Sequence, residues 1–370
     1  MDDSERISGR QATRLFLLAT ASPIIRIVPI FTAIHAKRAA WISGIIGLTL
    51  CILVAYFFSK MFNDDKKFVK SMDEAFEKSF GKIITVILMC IILIIQFFVI
   101  AIRLRTFTER IETILFIDTV PTLLMLGVLP AVLVACKLKL KFIGRFTELL
   151  EIVLIIVFVV IIAIALQNFD ITNMFPVTTY DIPGALFGSL GFLAVMSSYG
   201  YVFFLGDSIT RREQLRKGGI TAAMLIGIIG TGIIFITVGA FGYRVTNVLA
   251  QPLFLALKSS NILGVFEGIE SLFVSVWIMA DFAMIIYHVI IASIILKKIF
   301  KLQSRATMVA PILFVAYMLS FAIAKNFFVI MDFSNYVISP LNILLGVVIP
   351  LISFCILKVK NKKQEVKGSG

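Results

Sequence analysis

The sequence has few charged residues, little histidine and no paired cysteines. Only 15% of its 370 residues are charged, whereas soluble domains contain about 25%, which argues against a soluble protein. The two histidines and four cysteines show no zinc-binding or redox spacing. There is no nucleotide-binding glycine loop, HExxH or GxSxG motif. We therefore expect no metal site, no cofactor and no enzymatic activity.

Apolar residues are abundant instead. They make up 59% of the chain, and the mean hydropathy is +1.01, which is typical of a polytopic helical membrane protein. We predict about ten transmembrane helices in an all-α fold. The segments span approximately 11–35, 40–60, 82–107, 114–136, 145–167, 183–205, 219–243, 264–297, 306–324 and 333–357.

The basic residues indicate the orientation of these segments. Of 35 Lys and Arg residues, 26 fall on the side of the termini, eight in the opposite loops, and Arg26 within a segment. Because cytoplasmic loops are enriched in Lys and Arg, both termini are predicted in the cytoplasm, with 358–370 as a cytoplasmic tail. The net charge of +13 thus reflects membrane topology, and we expect no nucleic-acid partner.

The first segment, QATRLFLLATASPIIRIVPIFTAIH, is interrupted near its middle. Ala21 and Ser22 precede Pro23, and a proline removes a backbone donor and crowds the preceding turn, so a break into two half-helices is predicted here. Arg26 follows Arg14 by twelve residues, which corresponds to roughly 18 Å of helix. A guanidinium at that depth is costly and indicates a functional interior.

The sixth segment carries a similar interruption, at Ser197, Ser198, Tyr199 and Gly200. Interrupted segments at the first and sixth positions of ten are typical of a five-plus-five inverted repeat. We place the two repeats at about 8–167 and 182–357, within one transmembrane domain covering 1–357. The alternative is chance, because glycine and proline are common in membrane helices.

Polar side chains share one face of the eighth segment. Intervals of three and four residues align Glu270, Val274, Trp277, Asp281, Met284 and His288. A face with two acids and a histidine is expected to point into the bundle. Asp281 is a candidate ion-pair partner of Arg26, with a structural or a proton-linked role. For His288, a hydrogen-bonded interior position is favoured over a titrating one.

The third and fifth segments carry further polar positions. Gln96, Arg103 and Arg110 recur every seven residues; Gln96 is deep enough to line a site, or to form a plain interhelical hydrogen bond, while the arginines are assigned to the outer end of a long helix. Glu148 and Glu151 are expected to pair with inner basic residues, an inner gate being the alternative.

Two short helices are predicted outside the spans. Apolar spacing in FNDDKKFVKSMDEAFEKSF, residues 62–80, indicates an amphipathic helix on the inner surface. The outer connection 246–261 has room for a second short helix.

Broken helices also indicate a ligand type. A half-helix N-terminus near Ser22 offers N–H groups to a carboxylate, and unwound carbonyls at 197–200 suit an ammonium group. Together they favour a zwitterionic amino acid.

Several stretches carry a family resemblance: ISGRQ before the first segment, ERIET at 109–113, KFIGRFTELLEI, NFDITNMFPV and FEGIESLFVSVWIMADF. The chain resembles the spore germination permeases, the GerAB-like membrane B subunits of nutrient germinant receptors, in the amino acid/polyamine/organocation superfamily. The resemblance implies the five-plus-five fold, location in the spore inner membrane, and A and C partner subunits. It also implies a central site between the first, third, sixth and eighth helices. With Arg26 added from its depth, the candidate binding residues are Ala21, Ser22, Pro23, Arg26, Gln96, Ser197, Ser198, Tyr199, Gly200, Trp277 and Asp281.

Three functional hypotheses remain at this point. A receptor would bind a small germinant, with an amino acid as the favoured type, and pass the signal to partner subunits. A transporter would use the same site for proton-coupled amino acid uptake. A scaffold would bind no ligand. The resemblance favours the receptor.

Overall fold

The computed structural model describes residues 5–62, 69–114, 120–259, 269–323 and 327–368, most of them helical. The α-helices are α1 (Gly9–Ala36), α2 (Ala40–Phe62), α3 (Met72–Phe80), α4 (Lys82–Ile114), α5 (Pro121–Lys137), α6 (Leu140–Ala165), α7 (Ile182–Val202), α8 (Glu213–Thr246), α9 (Pro252–Lys258), α10 (Ile269–Ile299), α11 (Val309–Ile323), α12 (Phe327–Phe333), α13 (Ser339–Ile343) and α14 (Ile349–Gly368). Two short strands, β1 (Ile7–Ser8) and β2 (Ile209–Thr210), pair in parallel.

Within these described ranges, the helices account for ten membrane-crossing segments. Eight stretches are long and apolar enough to span a membrane, and the first of them, Gly9–Phe62, contains both α1 and α2. These two helices meet at Lys37, whose φ of 52° reverses the chain. The shorter apolar helix α5 completes the set, and α12 to α14 form the tenth segment. The protein is therefore an all-α polytopic membrane protein, as predicted.

Helices from one half of the chain pack against helices from the other half. Helix α1 packs on α7, the first helix of the second half, and α4 packs on α10. The two halves repeat the same contacts. The first helix of each half packs on the second helix of the other half, α1 on α8 and α7 on α2. It also packs on the last segment of its own half, α1 on α6 and α7 on α13. Such reciprocal pairing is what a five-plus-five inverted repeat produces.

The predicted breaks are wrong as interruptions of the helical backbone. Helix α1 runs unbroken through Ala21, Ser22 and Pro23, which are all buried against other helices. A proline removes a single N–H group, and the buried surroundings keep the backbone in helical geometry. Helix α7 likewise continues through Gly200 and changes to a 3₁₀ helix only at Phe203–Ser208. The sixth segment thus changes its winding three residues later than predicted.

The tenth segment contains the irregular winding instead. Two π-helical turns, Ser334–Ile338 and Leu344–Val348, flank α13, which carries Pro340. A π-turn widens the helix by one residue and is a recognised way to absorb a proline. Helix α14 continues to Gly368 through most of the predicted tail.

Both predicted short helices are present. Helix α3 buries Met72 and Phe76 and packs against α4 and α14, whereas Phe68 lies outside the described residues. Helix α9 occupies the predicted connection and buries Leu253 and Leu257. The second helix therefore caps one end of the bundle against α8.

Ion pairs and a short strand pair connect the helices at the other end of the bundle. Arg14 of α1 forms ion pairs with Glu148 (3.2 Å) and Glu151 (2.7 Å) of α6, so both acids pair with a basic residue as predicted. Lys298 joins Asp73 (2.5 Å) and Asp207 (2.8 Å). Together with the β1–β2 pair, these contacts connect α1 to α6, and α10 to α3 and to the 3₁₀ helix that follows α7, at one end.

Candidate functional site

A buried polar cluster lies between α1, α4 and α10. The indole N–H of Trp277 donates a hydrogen bond to the hydroxyl of Ser22 (3.1 Å), which links α10 to α1. The guanidinium of Arg110 from α4 stacks on the Trp277 ring, 3.8 Å from its centroid, and forms an ion pair with Asp281. All four side chains are buried. Three helices are therefore held together by polar contacts in the membrane interior.

A second contact extends the cluster along the same helices. His288 of α10 lies 2.8 Å from the side-chain oxygen of Gln96 on α4, and both side chains are buried. This confirms the interior hydrogen-bonded position predicted for His288. Gln96 thereby forms an interhelical hydrogen bond, which was one of its two predicted roles. Its amide nitrogen has no hydrogen-bond partner among the described residues.

Arginines dominate the charge of this region. Arg26 of α1 is 3% exposed, and neither terminal nitrogen of its guanidinium has a hydrogen-bond partner in the described chain. Arg103, partly buried on α4, lies within electrostatic range of Arg26, Arg110 and His288. Glu109 is the acid in electrostatic range of Arg26, yet it accepts a hydrogen bond from Arg105 (2.8 Å).

The α7 candidates point to different neighbours. The carbonyl of Ser198 accepts a hydrogen bond from Tyr287 of α10 (2.5 Å), which connects α7 to the polar cluster. The ring of Tyr199 packs against Phe16, Phe58 and Phe203 in an aromatic group. Ser197 and Gly200 face the second π-turn at Gly346. Of the four residues, only Ser198 has a hydrogen bond to α10 within the described chain.

Comparison with known proteins places this arrangement in a family. The family model described as "Spore germination protein" matches residues 12–328, which is more than half of the chain. The chain belongs to the spore germination protein family. No curated protein matches it.

Solved structures share the fold of this chain. MhsT in complex with L-phenylalanine has a TM-score of 0.59 at 14% identity, and the match covers 94% of this chain and 98% of that one. A mutant of the manganese transporter from Eremococcus coleocola has a TM-score of 0.63 at 13% identity, covering 95% and 85% respectively. At identities this low, the two matches establish a common fold and nothing more. Among the described residues, no three His, Cys, Asp or Glu side chains cluster as a metal site.

The structure gives Asp281 a different partner from the one considered above. Asp281 was a candidate partner of Arg26, but it pairs with Arg110. Both sequence positions lie deep in their segments, yet depth alone does not fix which side chains meet. Helix α4 continues to Ile114, past the predicted end at 107, and carries Arg110 over Trp277 toward Asp281.

The predicted face of α10 is confirmed where it is described. Val274, Trp277, Asp281, Met284 and His288 are all buried, whereas the side chain of Glu270 lies outside the described residues. Arg110 and Tyr287 are the members of the cluster that sequence reasoning missed. The seven-residue spacing from Gln96 already placed Arg110 on the right face of α4, so that signal was available. Tyr287 carried no such signal.

A small apolar pocket adjoins the polar cluster. Ile25 of α1, Leu154 and Phe158 of α6, and Phe273 and Trp277 of α10 line it. Trp277 thus separates polar groups on one side from an apolar space on the other. Recognition sites for small molecules commonly combine such surfaces.

Proposed function

We propose that this protein is the membrane B subunit of a nutrient germinant receptor in the spore inner membrane, with both termini in the cytoplasm. It senses a small germinant, of which an amino acid is the favoured type, and signals to A and C partner subunits. The observation that carries the proposal is the polar cluster of α1, α4 and α10 within a chain of the spore germination protein family. Ala21, Ser22, Pro23, Arg26, Gln96, Ser198, Trp277 and Asp281 are the proposed ligand-facing region.

The position of the cluster supports a sensing role. Its residues lie on α1, α4 and α10, and Tyr287 couples α10 to α7. A ligand that contacts these helices would favour one of their relative arrangements over another. Such differential binding is what a receptor needs in order to shift a conformational equilibrium.

A proton-coupled amino acid transporter is the second candidate, because both structural neighbours described above are transporters or carry an amino acid. MhsT was solved with L-phenylalanine. The proton-linked group that this alternative would use is Asp281 or a nearby acid, and Asp281 is engaged by Arg110. That engagement favours a structural role for Asp281 and hence the receptor.

Ligand binding is tested by thermal unfolding of the purified full chain with each common amino acid. A ligand at a hundred times its dissociation constant should stabilise the folded state by about 2.7 kcal/mol. A panel in which no amino acid changes the melting temperature would contradict the proposal and leave the ligandless scaffold.

Transport is tested separately with the ligand so identified. The receptor predicts co-purification of the A and C subunits from spores, whereas the transporter requires uptake of radiolabelled ligand into proteoliposomes under an imposed proton gradient. Saturable gradient-driven uptake would favour the transporter.

A further inference from the structure

Unpartnered hydrogen-bond donors lie on α1 and on α4, the two helices that contact α10 in the polar cluster. They are both terminal nitrogens of Arg26, the Nε of Arg103 and the amide nitrogen of Gln96, none of which has a partner in the described chain. Arg26 and Gln96 are at least nine-tenths buried. A buried donor without an acceptor is costly, and an arginine in the membrane interior more so. The described residues pair none of these donors. An unpaired carboxylate oxygen in electrostatic range of Arg26, Oε2 of Glu109, belongs to an acid that already binds Arg105.

The acids of the region are already engaged. Asp281 pairs with Arg110, and Glu109 pairs with Arg105. Glu112 lies in electrostatic range of Glu109 and is half-buried. The four arginines of the region outnumber its three acids, two of which already form ion pairs, so positive charge is in excess. An ammonium group brought among them would meet this excess of positive charge, with Oε2 of Glu109 as an unpaired carboxylate oxygen in the described part of the cluster.

We propose that Arg26, Arg103 and Gln96 bind a carboxylate, and that the ligand is an organic anion such as an acidic amino acid or a dicarboxylic acid. The inference rests on the proposed function, since it specifies the ligand of the same site. Guanidinium and amide N–H groups, here supplied by two helices, are the donors that bind carboxylate oxygens in proteins. The positive excess then discriminates against neutral zwitterions and cations.

The partial exposure of Arg103 gives the ligand an approach. Arg103 lies two turns of α4 beyond the buried Gln96 and is partly exposed, although its Nε is buried. An anion would meet Arg103 first and reach Arg26 as it loses water. Trp277, next to the small apolar pocket, would contact the uncharged part of the ligand.

The ligand class is tested by thermal unfolding of the purified full chain. L-aspartate, L-glutamate and succinate are compared with L-asparagine, L-glutamine and L-alanine at constant ionic strength, with sodium chloride and sodium sulfate alone as further arms. We expect the melting temperature to rise with at least one carboxylate anion and to stay unchanged with the amides and salts.

Three results would overturn the inference, and they differ in what they say of the proposed function. A shift with neutral amino acids alone would refute the anion site and leave amino acid sensing intact. An equal shift with sulfate or chloride would mean an adventitious ion only. No shift with any compound would refute both proposals.

Variants separate a binding role of Arg26 from a structural one. Arg26→Met removes an unpartnered charge, so we expect a higher melting temperature without ligand and at least a tenfold loss of affinity for the anion. Arg103→Gln, at a partly exposed position, should lose affinity similarly while folding normally. Arg145→Met, at an exposed position of α6, is the matched control and should change neither property. A lower melting temperature in Arg26→Met with unchanged affinity would refute the site.

Discussion

At the scale of single residues, the Arg110–Asp281 ion pair anchors α4 to α10. Both side chains are buried, and removing one partner of a buried pair typically costs about 3–5 kcal/mol because it strands the other charge. We therefore expect Arg110→Met and Asp281→Asn each to lower the melting temperature strongly. The double variant should recover part of the loss.

A double variant of Arg26 and Asp281 is the control for this measurement. Because Arg26 does not pair with Asp281 among the described contacts, Arg26→Met combined with Asp281→Asn should show much weaker coupling than Arg110→Met with Asp281→Asn. The coupling that remains would act through Arg110, which lies in electrostatic range of Arg26. Strict additivity for Arg110 with Asp281, or strong coupling for Arg26 with Asp281, would contradict the pairing described here.

Trp277 makes two contacts that substitution can separate. Trp277→Phe removes the N–H donor to Ser22 and keeps a ring beneath Arg110. The lost hydrogen bond should cost about 0.5–1.5 kcal/mol. Trp277→Leu removes the ring as well, and the lost cation–π contact should add up to about 2 kcal/mol. Equal melting temperatures for the two variants would show that the stacking contributes nothing.

Sequence alone identified most residues of this cluster and mispaired one of them. Helical periodicity fixes which residues share a face, and it placed Trp277, Asp281 and His288 correctly toward the interior. Pairing across helices depends on the tilt and offset of α4 against α10, which no single-helix pattern encodes. Arg26 therefore appeared to be the natural partner of Asp281, and Arg110 was assigned to an outer helix end.

At the scale of elements, α7 and the tenth segment approach closely at two glycines. A Cβ at Gly200 would collide with the backbone carbonyl of Gly346, and a Cβ at Gly346 with that of Ser197. We expect Gly200→Ala to destabilise by about 1–3 kcal/mol, the usual cost of overpacking. Unfolding midpoints of purified variants measure the effect.

Gly127 of α5 provides the matched control for this prediction. No described atom lies within 4 Å of a Cβ built there. Gly127→Ala should therefore be neutral or stabilising by up to about 1 kcal/mol through helix propensity. A loss in Gly127→Ala as large as in Gly200→Ala would mean that the helix contact is not responsible.

The number of helices was predictable and their winding was not. Long apolar runs separated by charged loops directly indicate spans, and the described part of the chain forms ten such segments. A proline or a glycine permits a break without imposing one. Buried packing keeps α1 helical through Pro23, while Pro340 lies between two π-turns.

At the scale of the whole molecule, the reciprocal packing of the two halves places the polar cluster between them. Helix α1 of the first half contacts α7, α8 and α10 of the second. The ties of Arg14 and Lys298 close one end, and α9 covers the other. A conformational change in the cluster would therefore act on helices that ion pairs join at one end. Because these ion pairs are partly exposed to water, each contributes little stability.

The orientation of this assembly follows from charge and can be measured with single cysteines. In a Cys355→Ser background, Tyr180→Cys and Gln303→Cys place exposed thiols on loops at opposite ends of the bundle. Because Lys and Arg concentrate on the side of Gln303, the positive-inside rule puts that loop in the cytoplasm. A membrane-impermeant maleimide should then label Tyr180→Cys in intact cells and Gln303→Cys only after permeabilisation. The reverse pattern would place both termini outside the cytoplasm.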